Sequence, residues 1–251
     1  MRITVLGCPV DVVDMATAVE RMVALVEQGR RDPSGPPRLV VTLNPEMVMR
    51  ARREADLAAI VASAALVIPD GIGLVRAVRR RGHRGADRVT GVDLVTAYVA
   101  RAAELGHRVA LAGGAPGVAE AAARALTERA AGLCVVATDP GDPGPEVAGR
   151  LAAERPDVIL AAYGAGPQER FLAAHLAATG AAVGVGVGGS FDFLSGRVRR
   201  APAAVRRLQL EWLWRLVRQP WRLRRQLVLP RFWLLARREL AHQPARHGEP
   251  R

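Results

Sequence analysis

Short apolar runs alternate along the chain with longer stretches whose apolar residues recur every three or four positions, and this alternation constrains the fold most. The runs are rich in β-branched residues, as in strands, whereas the longer stretches have the spacing of amphipathic helices. Alternating strands and helices predict a mostly parallel sheet with helices on both faces, and nearly all-apolar strands suit a sheet covered on both sides. The candidate strands are residues 3–6, 39–43, 66–68, 109–111, 134–137, 158–161 and 183–187, and the candidate helices include 16–27, 94–104, 118–130 and 146–154.

Basic residues are concentrated at the C-terminal end. The chain has 251 residues and a net charge of +12, and residues 195–251 contain 15 arginines but only three acidic residues, so the rest is neutral. The same segment contains all four tryptophans, Trp212, Trp214, Trp221 and Trp233. The sequence therefore predicts an α/β protein, with a Rossmann-like body (1–201), a basic helical appendage (202–241) and a disordered tail (242–251).

Composition excludes several classes of protein. Half of the residues are hydrophobic, which is enough for a packed core. No apolar run reaches the roughly 18 residues of a membrane-spanning helix, and Asp11 and Asp14 come too early for a signal peptide. The two cysteines cannot form a disulfide framework, and the five histidines lack the spacing of a zinc site. These features predict a cytosolic protein without a zinc centre.

Glycine-containing or polar segments follow five of the candidate strands, which is where α/β proteins bind ligands. Glycine lets a ligand approach the backbone, and a helix N-terminus presents N–H groups to phosphate. Asp70 directly follows a strand in a Pro–Asp–Gly turn, so it is either a general base or the N-cap of a helix over 72–81. Thr42 and Asn44 are predicted either to hold sugar hydroxyls or to cap the next helix, and Asp93 either to bind a ligand or to be structural.

Two other functions have some support in the sequence. Residues 184–189 match GxGxxG, which suggests a nicotinamide-dependent oxidoreductase, but the match lies late in the chain and no acidic residue follows about 20 positions later. The basic appendage suggests a nucleic-acid-binding scaffold. A scaffold of that kind would spread its basic residues over a face of the body, and the body is neutral. We therefore expect no nucleic-acid partner.

The appendage has two further interpretations. Arginine and tryptophan on short amphipathic helices suit an anionic membrane surface. Alternatively, the tryptophans form the core of helices docked on the body. The sequence favours a mixture of the two, with short helices at 212–217 and 221–227 and breaks at Pro220 and Pro230.

Taken together, six segments resemble the WecG/TagA/CpsF family of bacterial glycosyltransferases. They occur in the family's order over nearly the whole chain, and the C-terminal pair is long and specific. The segments are TLNPEMV (42–48), VIPDGIG (67–73), RVTGVDL (88–94), GGAPGV (113–118), GVGGSFDFLSGRVRRAP (186–202) and LEWLWRLVRQPWRLRRQ (210–226). The family usually has Pro-Lys-Gln-Glu where this chain has Gly-Pro-Gln-Glu at 166–169. Because the basic residue is missing, an inactive family member that acts as a scaffold is a further alternative.

The resemblance implies inverting transfer of an N-acetylhexosamine, such as N-acetylmannosamine or its uronic acid, from a UDP donor to undecaprenyl-diphosphate-linked N-acetylglucosamine. The product would be a teichoic acid or another cell-surface polysaccharide, and a different UDP-hexose is the alternative within the family. By position, Asp70 is the base that deprotonates the acceptor hydroxyl, and Thr42 is the second catalytic candidate. The substrate-binding candidates are Asn44, Arg88, Asp93, Gly113, Gly114, Gln168 and Asp192, and the appendage contributes Arg215, Arg222 and Arg225 to neutralise the UDP leaving group.

A UDP leaving group needs charge stabilisation from a metal ion or from cationic side chains. The sequence has no Asp-x-Asp-like pair in a strand-end loop to hold a metal, so arginine is expected to replace it and no cofactor is expected. A lipid-linked acceptor and a basic appendage together predict peripheral association with the inner face of the cell membrane. The appendage and the GGSFDF region are also candidates for the contacts of a homo-oligomer.

Overall fold

A computed structural model describes residues 1–202, 204–205, 208, 211–218 and 223–242, without the side chains of Arg215, Arg224 and Arg225. The strands are β1 (Arg2–Val5), β2 (Cys8–Asp11), β3 (Arg38–Leu43), β4 (Leu66–Pro69), β5 (Arg108–Gly113), β6 (Cys134–Asp139), β7 (Val158–Ala162) and β8 (Val183–Gly186). The helices of the body are α1 (Met15–Arg31), α2 (Pro45–Ala51), α3 (Ala55–Ser63), α4 (Ile72–Arg79), α5 (Gly91–Leu105), α6 (Val118–Arg129), α7 (Pro145–Ala153), α8 (Pro167–Thr179) and α9 (Ser190–Leu194). The C-terminal helices are α10 (Glu211–Arg218), α11 (Leu223–Gln226) and α12 (Val228–His242).

Six strands form one sheet in the order β4-β3-β8-β7-β5-β6, and every neighbouring pair is parallel. Alternate residues of a strand point to opposite faces. Val40 accordingly packs with α1, α5 and α6, whereas Val41 packs with α2, α3 and α4. On the second face, Ile159 packs with α7 and α8. The predicted class, a mostly parallel α/β sheet covered on both faces, is confirmed.

The first candidate strand lies outside this sheet. Residues of β1 and β2 pair antiparallel in a separate hairpin, with Val5 opposite Cys8. Its two turn residues, Leu6 and Gly7, both have positive φ, at 50° and 85°, which is the conformation that a two-residue hairpin turn requires. The sequence does not signal this hairpin, because leucine is unusual at such a position and Pro9 within β2 disfavours a strand.

Helix α12 packs on the body. Phe232 and Ala236 are buried in the same core cluster as the residues of α2 and α4. Glu239, near the end of the helix, accepts hydrogen bonds from the Leu6 amide at 3.1 and 3.0 Å and forms an ion pair with Arg81. The strongly basic segment is thus attached to the body partly through one of its few acidic side chains.

The prediction that Pro230 breaks a helix is wrong. This proline lies in the first turn of α12, where a missing N–H costs no intrahelical hydrogen bond. The helix expected over 212–217 is present as α10, and part of the one expected over 221–227 is present as α11. Pro220 and Trp221 lie outside the described residues, as does the tail expected over 242–251 apart from His242.

Candidate functional site

A cleft of about 870 Å³ opens at the carboxyl ends of the parallel strands. From β3 the chain continues to β4, at one edge of the sheet, and from β5 it continues to β6, at the other edge. Ligands of open α/β sheets bind between strands whose connections run in opposite directions in this way. The predicted residues that line the cleft are Thr42, Asn44, Asp70, Arg88, Gly114, Gln168 and Asp192. Side chains separated by up to 150 positions in the sequence are therefore brought together at one edge of the sheet.

Thr42 is the next-to-last residue of β3 and Asn44 directly follows the strand, and the two have different local roles. The buried Thr42 hydroxyl donates a hydrogen bond to the Gly186 carbonyl oxygen at 2.7 Å. The Asn44 side chain accepts one from the Met47 amide at 2.9 Å and so caps α2, which begins with Pro45. The capping alternative holds for Asn44. Because the Thr42 hydroxyl is used as a donor, its oxygen can still accept a hydrogen bond from a ligand.

Asp70 lies in the turn between β4 and α4, and its half-buried side chain lines the cleft. Its amide donates to the Leu43 carbonyl oxygen at 2.7 Å, which fixes the turn against β3. The N-cap of α4 is Gly71, with φ at 107°, a conformation that favours glycine. Asp70 therefore lies one residue outside the cap, and the prediction that it caps α4 is wrong.

A chain of charged side chains joins the body to α10 at the edge of the cleft. Glu211 lies 3.3 Å from an Arg88 nitrogen and 3.4 Å from an Arg200 nitrogen. Arg200 also forms a bidentate pair with Asp93, at 2.6 and 3.1 Å. Burial alone would raise the pKa of Asp93, but hydrogen bonds from Arg200 and Thr90 outweigh it and lower the pKa. Asp93 is thus ionised and engaged in this network rather than lining the cleft.

The start of α8 presents a buried pair of polar side chains beneath the cleft. Gln168 accepts a hydrogen bond from the Gly188 amide at 2.9 Å and donates one to Glu169 at 2.7 Å. Glu169 also accepts from the Gly166 amide at 2.6 Å, and burial raises the pKa of its carboxyl group. A Cβ at Gly186 would lie 2.6 Å from both side chains. This glycine of the 184–189 pattern therefore permits close packing of β8 against α8.

A basic side chain does border the 166–169 loop, although it comes from another helix. Arg50 of α2 donates a hydrogen bond to the Ala165 carbonyl oxygen. A Cβ at Gly166 would lie 2.5 Å from the Arg50 guanidinium, so the glycine leaves room for this contact. Glu54 pairs with Arg50 at 2.9 Å and balances its charge. The hydrogen bond spans 115 positions of sequence, which is why sequence reasoning missed it.

The two glycines after β5 differ in position. Gly113 and Gly114 both have positive φ, at 90° and 85°, but only Gly114 lines the cleft. A Cβ at Gly113 would lie 2.8 Å from the ring of Tyr163, so this glycine accommodates an aromatic side chain. Tyr163 itself lines the cleft, and burial raises the pKa of its hydroxyl to about 12. Sequence reasoning missed Tyr163, although its place directly after β7 is a usable signal.

The C-terminal helices form one wall of the cleft. From the sequence, only arginines of this segment were predicted to reach the site. Glu211 and Trp212 of α10 contribute to it, together with leucines and Trp233 from the helices that follow. Arg222 and the side chains of Arg215 and Arg225 lie outside the described part of the chain. In the described part, no three His, Cys, Asp or Glu side chains converge to hold a metal ion, and no helix is long and apolar enough to cross a bilayer.

This architecture, a parallel sheet whose carboxyl edge carries a cleft of carboxylate, amide and guanidinium groups, is that of an α/β protein with a site for a polar ligand. The profile of the glycosyl transferase WecG/TagA/CpsF family matches residues 3–246. The chain therefore belongs to the WecG/TagA/CpsF family and is a glycosyltransferase.

Two curated relatives are similar over most of their length, and both are named N-acetylglucosaminyldiphosphoundecaprenol N-acetyl-beta-D-mannosaminyltransferase. The one from Bacillus subtilis is 30% identical over 214 residues, which cover 84% of this chain and 84% of that protein. The one from Bacillus spizizenii is 35% identical over 195 residues, which cover 77% and 76%.

Proposed function

We propose that the protein transfers N-acetylmannosamine, or its uronic acid, from a UDP donor to N-acetylglucosamine linked to undecaprenyl diphosphate. The product would be a precursor of a teichoic acid or another cell-surface polysaccharide. The observation that carries this proposal is the position of Asp70 in a cleft that also contains Thr42, Arg88 and Gln168. The names of the two relatives support the choice of sugar and acceptor.

In the proposed reaction Asp70 acts as the general base. Its carboxylate takes the proton of an acceptor hydroxyl, and the hydroxyl oxygen attacks the anomeric carbon of the donor. The bond from that carbon to UDP breaks, UDP leaves with the bonding electrons, and the configuration inverts. Thr42 and Asn44 lie beside this position and would orient the sugar rings, since the Thr42 oxygen has a lone pair available for a sugar hydroxyl.

We propose that arginine, and not a metal ion, stabilises the departing UDP. Arg88 lines the cleft with its side chain largely buried, and a guanidinium in such a site binds a diphosphate well. Arg215, Arg222 and Arg225 are proposed to add positive charge from the appendage. Transfer that persists in excess EDTA would support this assignment, whereas activity lost in EDTA and restored by Mg²⁺ or Mn²⁺ would overturn it.

Membrane association is proposed to occur through the appendage, at the cytoplasmic face. Apart from Met1, the large apolar side chains that are exposed in the described part of the chain all lie in or near α10–α12, namely Leu208, Trp212, Leu213, Val217, Leu223, Leu227 and Leu234. An apolar surface next to many arginines favours anionic lipid. Sedimentation with phosphatidylglycerol vesicles but not with phosphatidylcholine vesicles is the expected result. Equal binding to both would remove the electrostatic part of the proposal.

The donor and acceptor are tested by UDP release from a panel of UDP-sugars that includes UDP-N-acetylmannosamine. Each donor is assayed with and without a short-chain polyprenyl-diphosphate-N-acetylglucosamine. Acceptor-dependent release from one N-acetylhexosamine donor is the expected result. UDP that binds without any acceptor-dependent release would contradict the proposal.

The role of Asp70 is tested with Asp70→Asn. General base catalysis contributes about 10²–10⁴-fold to the rate, so kcat should fall by that amount while the affinity for UDP changes little. Asp142→Asn, an exposed carboxylate in the loop before α7, is the matched control. If Asp70→Asn retained more than about a tenth of the rate, Asp70 would not be the base.

A further inference from the structure

Arg76 is a cation on the cleft without a partner in the described part of the chain. Its side chain is exposed and lines the cleft, and it forms neither a hydrogen bond nor an ion pair with a described residue. Other arginines around the site are paired: Arg88 with Glu211, and Arg200 with Asp93. The positive charge of Arg76 is therefore available to an anionic ligand.

Arg76 lies on the face of α4 that packs against α12. A Cβ at Gly73 would lie 3.0 Å from Pro45 of α2 and 3.7 Å from Trp233 of α12, so this side of α4 faces both helices. Residues three apart share a face of a helix, which places Arg76 on the same side as Gly73. Four residues later, the Arg80 guanidinium lies 5.8 Å from the centre of the Trp233 ring. The cationic face of α4 thus runs alongside α12.

The part of the cleft wall that α11 and α12 contribute is apolar and continues to the protein surface. Leu229 and Pro230, in the first turn of α12, line the cleft together with Leu223 and Leu227. Leu223 is 52% exposed and Leu227 is 68% exposed, so the apolar wall reaches solvent. A positive charge inside the cleft and an apolar wall that leads outward fit an anionic head group attached to a hydrocarbon chain.

We infer that Arg76 binds the diphosphate of a prenyl-diphosphate-linked acceptor and that the wall formed by α11 and α12 receives its first isoprene units. The inference rests on the proposed function, because it takes the acceptor sugar to lie at Asp70. Asp70 lies two residues before α4, and Arg76 lies four residues beyond the first residue of that helix, Ile72, or about 6 Å along its axis. The acceptor can therefore extend from its sugar at Asp70 to its diphosphate at Arg76 and its lipid at Leu229.

The donor occupies the other part of the cleft in this arrangement. Gly114, Gln168 and Asp192 line that part, and they follow strands on the far side of β3 from β4 and α4. The proposed cations also differ: Arg88 and the appendage arginines for UDP, and Arg76 for the lipid-linked acceptor. Loss of Arg76 should weaken binding of the acceptor without affecting that of UDP.

The test measures binding of farnesyl diphosphate, a soluble prenyl diphosphate, to the full chain by calorimetry. Saturating UDP is present so that the donor site is filled. We expect Arg76→Gln to weaken farnesyl diphosphate binding about tenfold, or about 1.4 kcal/mol, and to leave the dissociation constant of UDP unchanged. Inorganic diphosphate should bind more weakly than farnesyl diphosphate, since it makes no contact with the apolar wall. Arg84→Gln, an exposed arginine outside the cleft, should match the wild type.

Three results would overturn the inference: no farnesyl diphosphate binding to the wild type in the presence of UDP, equal binding to Arg76→Gln, or an equal loss of UDP binding in that variant. Transfer assays give a separate test of the proposed function. If Arg76→Gln weakens prenyl diphosphate binding as expected but no UDP-sugar is transferred to any acceptor, the lipid site stands and the proposed reaction does not.

Discussion

Replacing Phe232 tests whether α12 is part of the body's core. Phe232 is fully buried, with its ring centre 6.0 Å from that of Trp233 in an edge-to-face arrangement. Truncating a buried phenylalanine to alanine costs about 3–5 kcal/mol. For a chain of this size each kcal/mol lowers Tm by about 2–4 °C. Phe232→Ala should therefore lower Tm by about 6–20 °C.

Leu234→Ala provides the matched control in the same helix. Leu234 is 50% exposed, and substitutions at exposed positions usually change the free energy of unfolding by no more than about 0.5 kcal/mol. Urea denaturation followed by circular dichroism gives the free energy of unfolding of both variants and the wild type. If the two variants differ by less than about 1 kcal/mol, then α12 is not packed on the core in solution and the apolar wall of the cleft is lost with it.

Three further perturbations probe the ion pairs and a glycine of the site. Glu211→Gln removes the carboxylate that competes with a diphosphate for Arg88, so UDP should bind up to about fivefold more tightly; weaker binding in calorimetry would show that Glu211 instead holds Arg88 in place. Hydrogen bonds from Arg50 and Arg170 lower the pKa of Glu54 from 4.5 to about 2, so its contribution to stability is present above pH 4.5 and is lost as the pH falls toward 2. Glu54→Gln should reduce the free energy of unfolding at pH 7. In urea titrations the free energy of unfolding of this variant should also fall less steeply than that of the wild type between pH 4.5 and 2; the same decrease in both proteins would contradict this. Gly91→Ala places a Cβ 2.9 Å from the Val187 carbonyl oxygen and should cost about 1–3 kcal/mol, whereas Gly149→Ala, in open space within α7, should stabilise by about 0.5–1 kcal/mol; similar melting temperatures for the two would refute the packing argument.

The parallel sheet could be predicted because its signal is local. A strand that is covered on both faces appears in the sequence as a short apolar run, and an amphipathic helix appears as apolar residues spaced three or four apart. Residues that are close in sequence therefore reveal both kinds of element. The same holds for the candidates at strand ends, since parallel strands bring their carboxyl ends to one edge wherever they occur in the sequence. Thr42, Asp70 and Gln168 were found in this way, and all three line the cleft.

Other features depend on contacts between distant segments, which local pattern does not encode. The N-cap of α4 is Gly71 and not Asp70, whose amide is bonded to the Leu43 carbonyl oxygen on β3. Arg50 borders the 166–169 loop only because the fold places the last turn of α2 against the residues that precede α8. Pro230 does not interrupt α12 because it lies in the first turn of that helix. The sequence pattern does not show where the helix begins, so it could not predict this.

The sequence by itself determined the α/β class, the segregation of positive charge into the C-terminal segment, and the set of polar residues at strand ends, because each is a property of composition or local order. The tertiary structure decided how the C-terminal segment meets the body: Glu239 is bonded to the Leu6 amide, Glu211 lies between Arg88 and Arg200, and Phe232 is buried in the core. These contacts join residues more than 100 positions apart or link separate elements, and their strength depends on burial and geometry. Only the folded chain fixes both, and so only the structure shows that the basic segment forms a wall of the cleft.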